Sequence, residues 1–383
     1  MNWNLMKLSN VAQFIRGVTF EKSVQESVLN DSNLPLLRAG NIQTELDTKN
    51  DLIYVPISAV SKEQILQNGD IVICLSSGSS QVVGKSAPLE QDWRGTVGGF
   101  CGIVRPKNNI NAEYLAYWMR SPSFIEWRDE QARGANIQNL RFSELGILEI
   151  AVPCANKQRH IAAKLKAQLA AVEEARQAAQ QQIDELTNLA NAVIRESLNH
   201  PEMEIVSLGD VLNEVKQGIG KGWANYPVLG ATRSGLAPAK EPVGKNPERY
   251  KPVFHGTVFY NPMRILIGSI AMVDADDEPG ITSPDYVAIR GREGLVDSRW
   301  FYYWLRSPAG EHCITSLARG AVRERMLFNR LAEGVAAFPP FAVQQKASRI
   351  LAEIRPMKTH VEAQLREIEL LPARLLATAF GDG

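Results

Sequence analysis

At 383 residues, with 45% hydrophobic and 22% charged side chains, the chain has room for two or three domains with proper cores and the balance of an ordinary soluble protein. A formal net charge of zero counts against a protein that binds nucleic acid unaided, because a basic face is the usual electrostatic footprint; a partner would have to supply the missing charge. No apolar run approaches the about 20 residues of a membrane span, Met1-Asn2-Trp3-Asn4 lacks a basic, apolar leader, and Cys74, Cys101, Cys154 and Cys313 form no CxxC pair, so the expectation is a cytoplasmic protein with reduced thiols and no membrane contact.

The chain opens on Leu8-Ser9-Asn10-Val11, a short leucine/valine signal. Short β-rich runs then alternate with Gly, Pro, Asn and Ser turns. Among them, Gly69-Asp70-Ile71-Val72-Ile73 reads as a turn into an apolar strand, and Val83-Gly84-Lys85-Ser86-Ala87 follows. Tyr117-Trp118-Met119-Arg120-Ser121-Pro122 predicts a short helix ended by Ser-Pro, since proline cannot continue the hydrogen-bond ladder. From residue 158 to about 199 there is neither proline nor glycine. Ala162, Leu165, Leu169, Val172, Ala179, Ile183, Leu186, Ala190 and Val193 keep a 3-4 spacing that only Arg176 breaks. That pattern predicts a coiled-coil seam of about 60 Å.

The order then begins again. Leu208-Gly209-Asp210-Val211 answers the opening signal, Gly256-Thr257-Val258-Phe259-Tyr260 the strand entry, and Ile267-Gly268-Ser269-Ile270-Ala271 the segment after it. Tyr303-Trp304-Leu305-Arg306-Ser307-Pro308 repeats the helix block at an offset of 186 residues, from 117 to 303. The register holds without a gap: Ala132-Arg133-Gly134-Ala135 matches Ala318-Arg319-Gly320-Ala321, Phe142 matches Phe328, Pro153 matches Pro339, and Leu165 matches Leu351. The period is far longer than the roughly 20–50 residues of solenoids and propellers, so this is a duplicated domain. A second long helix, from about 342 to 380, carries Leu351, Ile354, Val361, Leu365, Ile368 and Leu375; Pro356 and Pro372 sit inside it and are expected to kink or interrupt it.

The predicted fold class is therefore α/β, with two tandem α/β domains at 1–156 and 201–341 separated by long helices at 157–200 and 342–383. Each helix is the other's simplest partner, and in the order module–helix–module–helix an antiparallel coiled coil gives an internal pseudo-two-fold repeat with the modules at opposite ends. DNA has local two-fold axes of its own, so such a molecule suits two separated segments of one duplex.

In this order and with these motifs the chain resembles the specificity subunits of Type I restriction–modification enzymes, over essentially its whole length. The duplicated module, the alternating helices, the repeated strand entry and the Arg-Gly-Ala segment leading to an apolar–Pro stop carry the resemblance. It implies that each module is a target recognition domain reading one half of an interrupted site in double-stranded DNA. It further implies that the helices are spacers recruiting two modification subunits, which hold S-adenosylmethionine and methylate adenine at N6, and that restriction subunits join them. No catalysis and no cofactor are implied for this chain itself. The rival reading is a coiled-coil scaffold whose two modules bind protein.

Enzymatic near-matches are weak. Gly78-Ser79-Ser80-Gln81-Val82-Val83-Gly84-Lys85-Ser86 has one residue too many between its glycines for a phosphate loop, and the repeat has Ser269 where the lysine would stand. Asn261-Pro262-Met263-Arg264 lacks the second proline and the aromatic that would hold a flipped adenine in a methyltransferase. Gly218-Ile219-Gly220-Lys221-Gly222 lacks the flanking βαβ pattern of a dinucleotide site and reads as a mobile loop. His160, His200, His255, His312 and His360 offer no ligand spacing, so no metal is expected.

Direct readout needs Arg, Lys, Asn, Gln and Ser on loops that reach base edges or phosphates. In the first module the candidates are Arg38, Asn41, Ser76, Ser77, Ser79, Ser80, Gln81, Arg133, Asn136 and Gln138. In the second they are Lys221, Arg233, Ser234, Asn261, Arg264, Arg319, Arg323 and Arg325. Arg133 and Arg319 gain weight from standing beside a glycine in both copies, although a shared structural salt bridge explains that equally well. Tyr117, Trp118, Tyr303 and Trp304 lie at helix spacing and read as core. The outer helix faces, with Lys164, Lys166, Glu173, Glu174, Arg176, Lys358, Glu362 and Arg366, are either solvated or available to the modification subunits.

Overall fold

A computed structural model describes residues 3–79, 81–131, 138–318 and 325–381. The chain divides into two compact units, Met1–Gln177 with Leu365–Gly383, and Ala178–Gln364.

The first unit is built on a four-stranded antiparallel sheet in the order Ala12–Arg16, Cys101–Pro106, Ile71–Cys74, Ser86–Pro88. The β-branched run Ile71-Val72-Ile73 is buried on both faces, as a central strand must be. Its entry turn needs Gly69 at φ +88°. Beside it, the buried Asp70 carboxylate takes Arg105 Nε at 2.8 Å and Nη2 at 2.7 Å. A smaller sheet of Ile53–Pro56, Asn33–Leu37 and Thr96–Val97 lies alongside in sequence, and a ribbon pairs Asn4–Lys7 with Glu149–Val152.

The second unit repeats that topology. Its four-stranded sheet runs Leu212–Glu214, Val287–Gly291, Thr257–Tyr260, Ile270–Val273, and its ribbon pairs Glu204–Ser207 with Val335–Phe338. Tyr117, Trp118 and Trp304 are buried, while Tyr303 is half-buried.

In both units the Ser-Pro pair does more than end a helix. Ala112–Trp118 is followed by Pro122–Gln131, and Ser298–Arg306 by Pro308–Leu317. The proline that cannot continue one helix is well suited to the first position of the next, where no N–H partner is needed. Ser307 Oγ accepts from the Gly310 N–H at 3.5 Å and donates to the Trp304 carbonyl at 2.7 Å, bridging the two helices.

The long helices are Ala155–Ser197 and Phe341–Phe380. In the first unit Ala162 and Leu165 share a core with Leu375, Leu376, Ala379 and Phe380. In the second, Ala190 and Ile194 share one with Ala347, Leu351 and Ile354, and Lys358 Nζ donates to Thr187 Oγ1 at 2.9 Å. Within the second unit the helices are thus antiparallel. The second helix is not interrupted at either proline: Phe341–Phe380 runs on through Pro356 and Pro372. Each proline removes one backbone donor; burial of Leu351, Ile354 and Val361 and the ion pair of Arg355 with Asp277 (2.6 Å) hold the helix across the first.

Each long helix is tied to its module by a buried glutamine, 186 residues apart in sequence. Gln158 Oε1 accepts the Asn111 N–H at 2.7 Å and its Nε2 donates to the Pro153 carbonyl at 2.8 Å. Gln344 Oε1 accepts the Asp297 N–H at 3.0 Å, and its Nε2 donates to the carbonyls of Pro339 (2.9 Å) and Leu295 (3.1 Å). Of the lysines expected on outer faces, Lys166 is exposed and pairs on the surface of its unit, its Nζ 2.8 Å from Glu113 and 3.1 Å from Glu90, whereas Lys358 is half-buried against the first helix.

Candidate nucleic-acid interface

In the first unit the fully buried strand Asn33–Leu37 ends at Arg38, and Ala39–Asn41 turn the chain back. Asn41 is 2% exposed. Its Oδ1 accepts the Arg38 N–H at 2.8 Å, and its Nδ2 donates to the carbonyls of Asp47 (3.2 Å) and Asn50 (2.8 Å). The amide is fully used in closing this loop, so Asn41 shapes the candidate surface and presents no polar atom to a base. Arg38 is exposed, and its Nη2 donates to the Asp51 carbonyl at 2.9 Å. That bond orients the guanidinium and leaves most of its fork for a ligand.

Ser76 and Ser77 form a two-residue strand paired with Gln138–Asn139. The N–H groups of Leu75 and Ser76 both donate to the Phe100 carbonyl, at 2.8 and 3.1 Å. Arg38, Ser76, Ser77 and Phe100 line one cavity of about 570 Å³, together with Asn41 and Cys101. Cys101 faces Cys74 across the sheet, and its hydrogen bond with Cys74, reinforced by burial, pushes its thiol far up, so it stays protonated at neutral pH. Ser79 and Gln81 are exposed just beyond the serine strand, the Ser79 N–H donating to Ser77 Oγ at 3.2 Å. Ser80, Arg133 and Asn136 lie outside the described residues, and of Gln138 only the backbone is described.

In the second unit the hairpin Leu229–Thr232/Gly235–Pro238 carries Arg233 and Ser234 at its tip. Arg233 Nε donates to the Ile267 carbonyl at 3.1 Å, joining the tip to the loop that follows strand Thr257–Tyr260. That loop holds Asn261 and the exposed Arg264. Asn261 Oδ1 accepts the Met263 N–H at 3.0 Å, so the side chain closes its own turn. The Met326 N–H donates to the Pro262 carbonyl at 3.0 Å, which sets Arg325 beside the same loop, its Nη2 3.4 Å from Asp285. Lys221 belongs to a separate place: Gly220–Asn225 form a 3-10 turn, and the Ile219 N–H donates to the Tyr250 carbonyl at 2.7 Å. The glycine segment is a packed turn there, because a Cβ on Gly218 would stand 2.4 Å from the Glu248 carbonyl oxygen. Arg319 and Arg323 lie outside the described residues.

Two arginines of the repeated six-residue block, outside the candidates drawn from the sequence, reach into these loops. Arg306 Nη1 donates to the carbonyls of Gly268 (3.2 Å) and Ile270 (2.8 Å), and Nη2 to that of Arg233 (2.5 Å), with the guanidinium 5.4 Å from the Tyr302 ring centre. It binds the hairpin tip and the loop into one surface. Arg120, its counterpart, donates to the Thr44 carbonyl at 3.4 Å, on the loop that Asn41 closes. Burial lowers the Arg120 pKa from an ordinary value so high that the group remains charged. Among the described residues no group of three or more His, Cys, Asp or Glu side chains is placed to hold a metal ion.

These features define a class: a protein with two copies of one loop-bearing module, each seated on a pair of antiparallel helix segments. Comparison with known proteins makes the class specific. Residues 1–183 match the family model described as Type I restriction modification DNA specificity domain. The EcoKI specificity subunit of Escherichia coli (strain K12), a Type I restriction enzyme subunit, is 31% identical over 230 residues, 57% of this chain and 50% of the relative. The StySPI specificity subunit of Salmonella potsdam is 37% identical over 171 residues, 45% of this chain and 37% of the relative. The matches thus span half or less of the curated relatives' own length. The fold extends the likeness to the whole chain. A structure described under complex assembly and conformational transition of the type I R-M system matches with a TM-score of 0.67 at 16% identity, covering 100% of this chain and 98% of that one. The Type-I restriction-modification S subunit from M. genitalium matches with a TM-score of 0.54 at 16% identity, over 100% and 97%.

Proposed function

We propose that the chain is the non-catalytic DNA sequence-specificity subunit of a Type I restriction–modification system. Modules 1–156 and 201–341 each read one half of an interrupted double-stranded site, and helices 157–200 and 342–383 set the gap between them. Adenine-N6 modification subunits, two in number, bring S-adenosylmethionine and the positive charge that this neutral chain lacks, and restriction subunits complete the assembly. The observation that carries this reading is the repetition of one sheet topology under two different loop surfaces, since a bipartite site with unlike halves needs a constant frame and two divergent reading faces. The specificity-domain match over residues 1–183 supports DNA over protein as the ligand. In the first module Arg38, Ser76, Ser77, Ser79 and Gln81 supply the polar contacts, and in the second Arg233, Ser234, Arg264 and Arg325 do so.

The test is a genome-wide N6-methyladenine map of the native host with this gene intact and deleted. Loss of one interrupted two-part motif on deletion is the expected result. An unchanged map in a host that expresses adenine-N6 modification subunits would refute the proposal.

A further inference from the structure

One large apolar side chain stands at the candidate surface without a structural reason to be there. Phe100 is 74% exposed. Its backbone is firmly set: the Cys101 N–H closes a turn onto the Gly98 carbonyl at 2.8 Å, the Gly98 N–H donates to Leu37 at 2.9 Å, and the Phe100 carbonyl takes both Leu75 and Ser76. The turn is packed so closely that a Cβ on Gly17 would lie 2.1 Å from the Gly98 oxygen. A rigid turn therefore holds the ring at the cavity lined by Arg38, Ser76 and Ser77.

The duplicate shows that the fold does not demand this arrangement. The residue 186 positions on is Tyr286, likewise the one before a central strand. Tyr286 is half-buried, its ring centre 6.1 Å from that of Phe259, within a small core of the second unit. The same frame position thus points an aromatic into the core in one copy and leaves it outside in the other.

We infer that Phe100 reads a thymine, its ring packing on the C5 methyl group in the major groove at one position of the half-site bound by the first module. The inference rests on the proposed function and adds a base to it. A phenyl ring offers no hydrogen bond to a phosphate, whereas Arg38 and the two serines beside it supply the polar contacts. Of the groups that base pairs present in the major groove, the thymine methyl is the apolar one.

The test uses the full complex of this chain with its modification subunits and synthetic duplexes carrying the motif found in the methylation map. Each thymine of the half-site that changes when residues 1–155 are exchanged is replaced in turn by deoxyuridine, which removes only the methyl. At one position the wild-type complex should lose about fourfold in affinity, equivalent to the about 0.8 kcal/mol of a buried methyl group. Phe100→Ala, at an exposed position and with an unchanged melting temperature, should bind thymine and uracil duplexes equally and should methylate a motif degenerate at that position alone. The inference is overturned if uracil is tolerated everywhere, if Phe100→Ala keeps the discrimination, or if that half-site contains no thymine on either strand. A Phe100→Ala complex weakened on every sequence alike also overturns it, and identifies a wedge instead. Absence of any bipartite motif in the wild-type map is a different failure, which removes the proposed function itself.

Discussion

Replacing Gln344 by leucine removes the tie between the second long helix and its module while keeping a side chain of similar bulk. Three backbone groups lose their partner: the Asp297 N–H and the carbonyls of Pro339 and Leu295. Leu295 is half exposed, so water can take over its carbonyl. The bond to Pro339 is buried, and the Asp297 N–H lies at the start of helix Ser298–Arg306, so these two bear the loss. At about 1–3 kcal/mol for each stranded group the cost is about 2–6 kcal/mol. Added apolar burial returns about 1 kcal/mol, for a net near 3 kcal/mol. For a unit of this size that is a fall of about 6–12 °C in melting temperature. Thermal unfolding followed by far-UV circular dichroism measures it, with Gln158→Leu as the parallel variant in the first unit. Loss of less than about 2 °C in both would show that water replaces the glutamine amide and that the tie is not structural.

Other predictions concern charge and modularity. Burial by itself would raise the Asp274 carboxyl, but the hydrogen bond from Arg299, the Ala275 N–H and the nearby Arg355 outweigh it and hold the pKa below the ordinary 3.8. A carboxyl depressed in the folded state stabilises fully above its unfolded value and loses that contribution as pH falls through the folded one. Asp274→Asn should therefore cost about 3 kcal/mol at pH 7, as for any broken buried pair, with the difference from wild type shrinking below about pH 4 in urea titrations at several pH values. Arg306→Lys keeps a positive charge but not the fork that reaches three carbonyls; affinity for the second half-site should fall about tenfold with the first unaffected, measured on duplexes mutated in one half at a time. Exchanging residues 1–155 for a relative's module should alter one half of the methylated motif only. Deleting about seven residues, roughly two helical turns, in register from both long helices should shorten the gap between the halves and leave their bases unchanged.

The frame was legible because repetition and periodicity are properties of the chain itself. An offset of 186 residues located the second module, and the 3-4 spacing of Ala162, Leu165 and Ala190 marked side chains that are indeed buried. Neither proline interrupts the second helix, because a propensity measured for isolated helices yields to packing such as that of Leu351 and Ile354 on the second core. The candidate surface was less legible. Residue type marked Arg38 and Asn41 alike as readers, yet one faces solvent and the other closes a loop, a difference set by which backbone groups lie within 3 Å after folding. Phe100 escaped notice because an aromatic next to a strand ordinarily belongs to a core, as Tyr286 does. Arg120 and Arg306 escaped for the opposite reason: their place in the shared block suggested scaffold, and their reach into the loops appears only in three dimensions.

Those two arginines grip the loops by main-chain oxygen atoms: Thr44 in one copy, Gly268, Ile270 and Arg233 in the other. A clamp on carbonyl groups is blind to which amino acid carries them. Loop sequences can accordingly be rewritten through drift or recombination without retuning the clamp, provided the path of the chain is kept. The fold in this sense works like a type case whose sockets outlast the letters set in them, and, on the proposed function, new target sequences become available at little risk to folding.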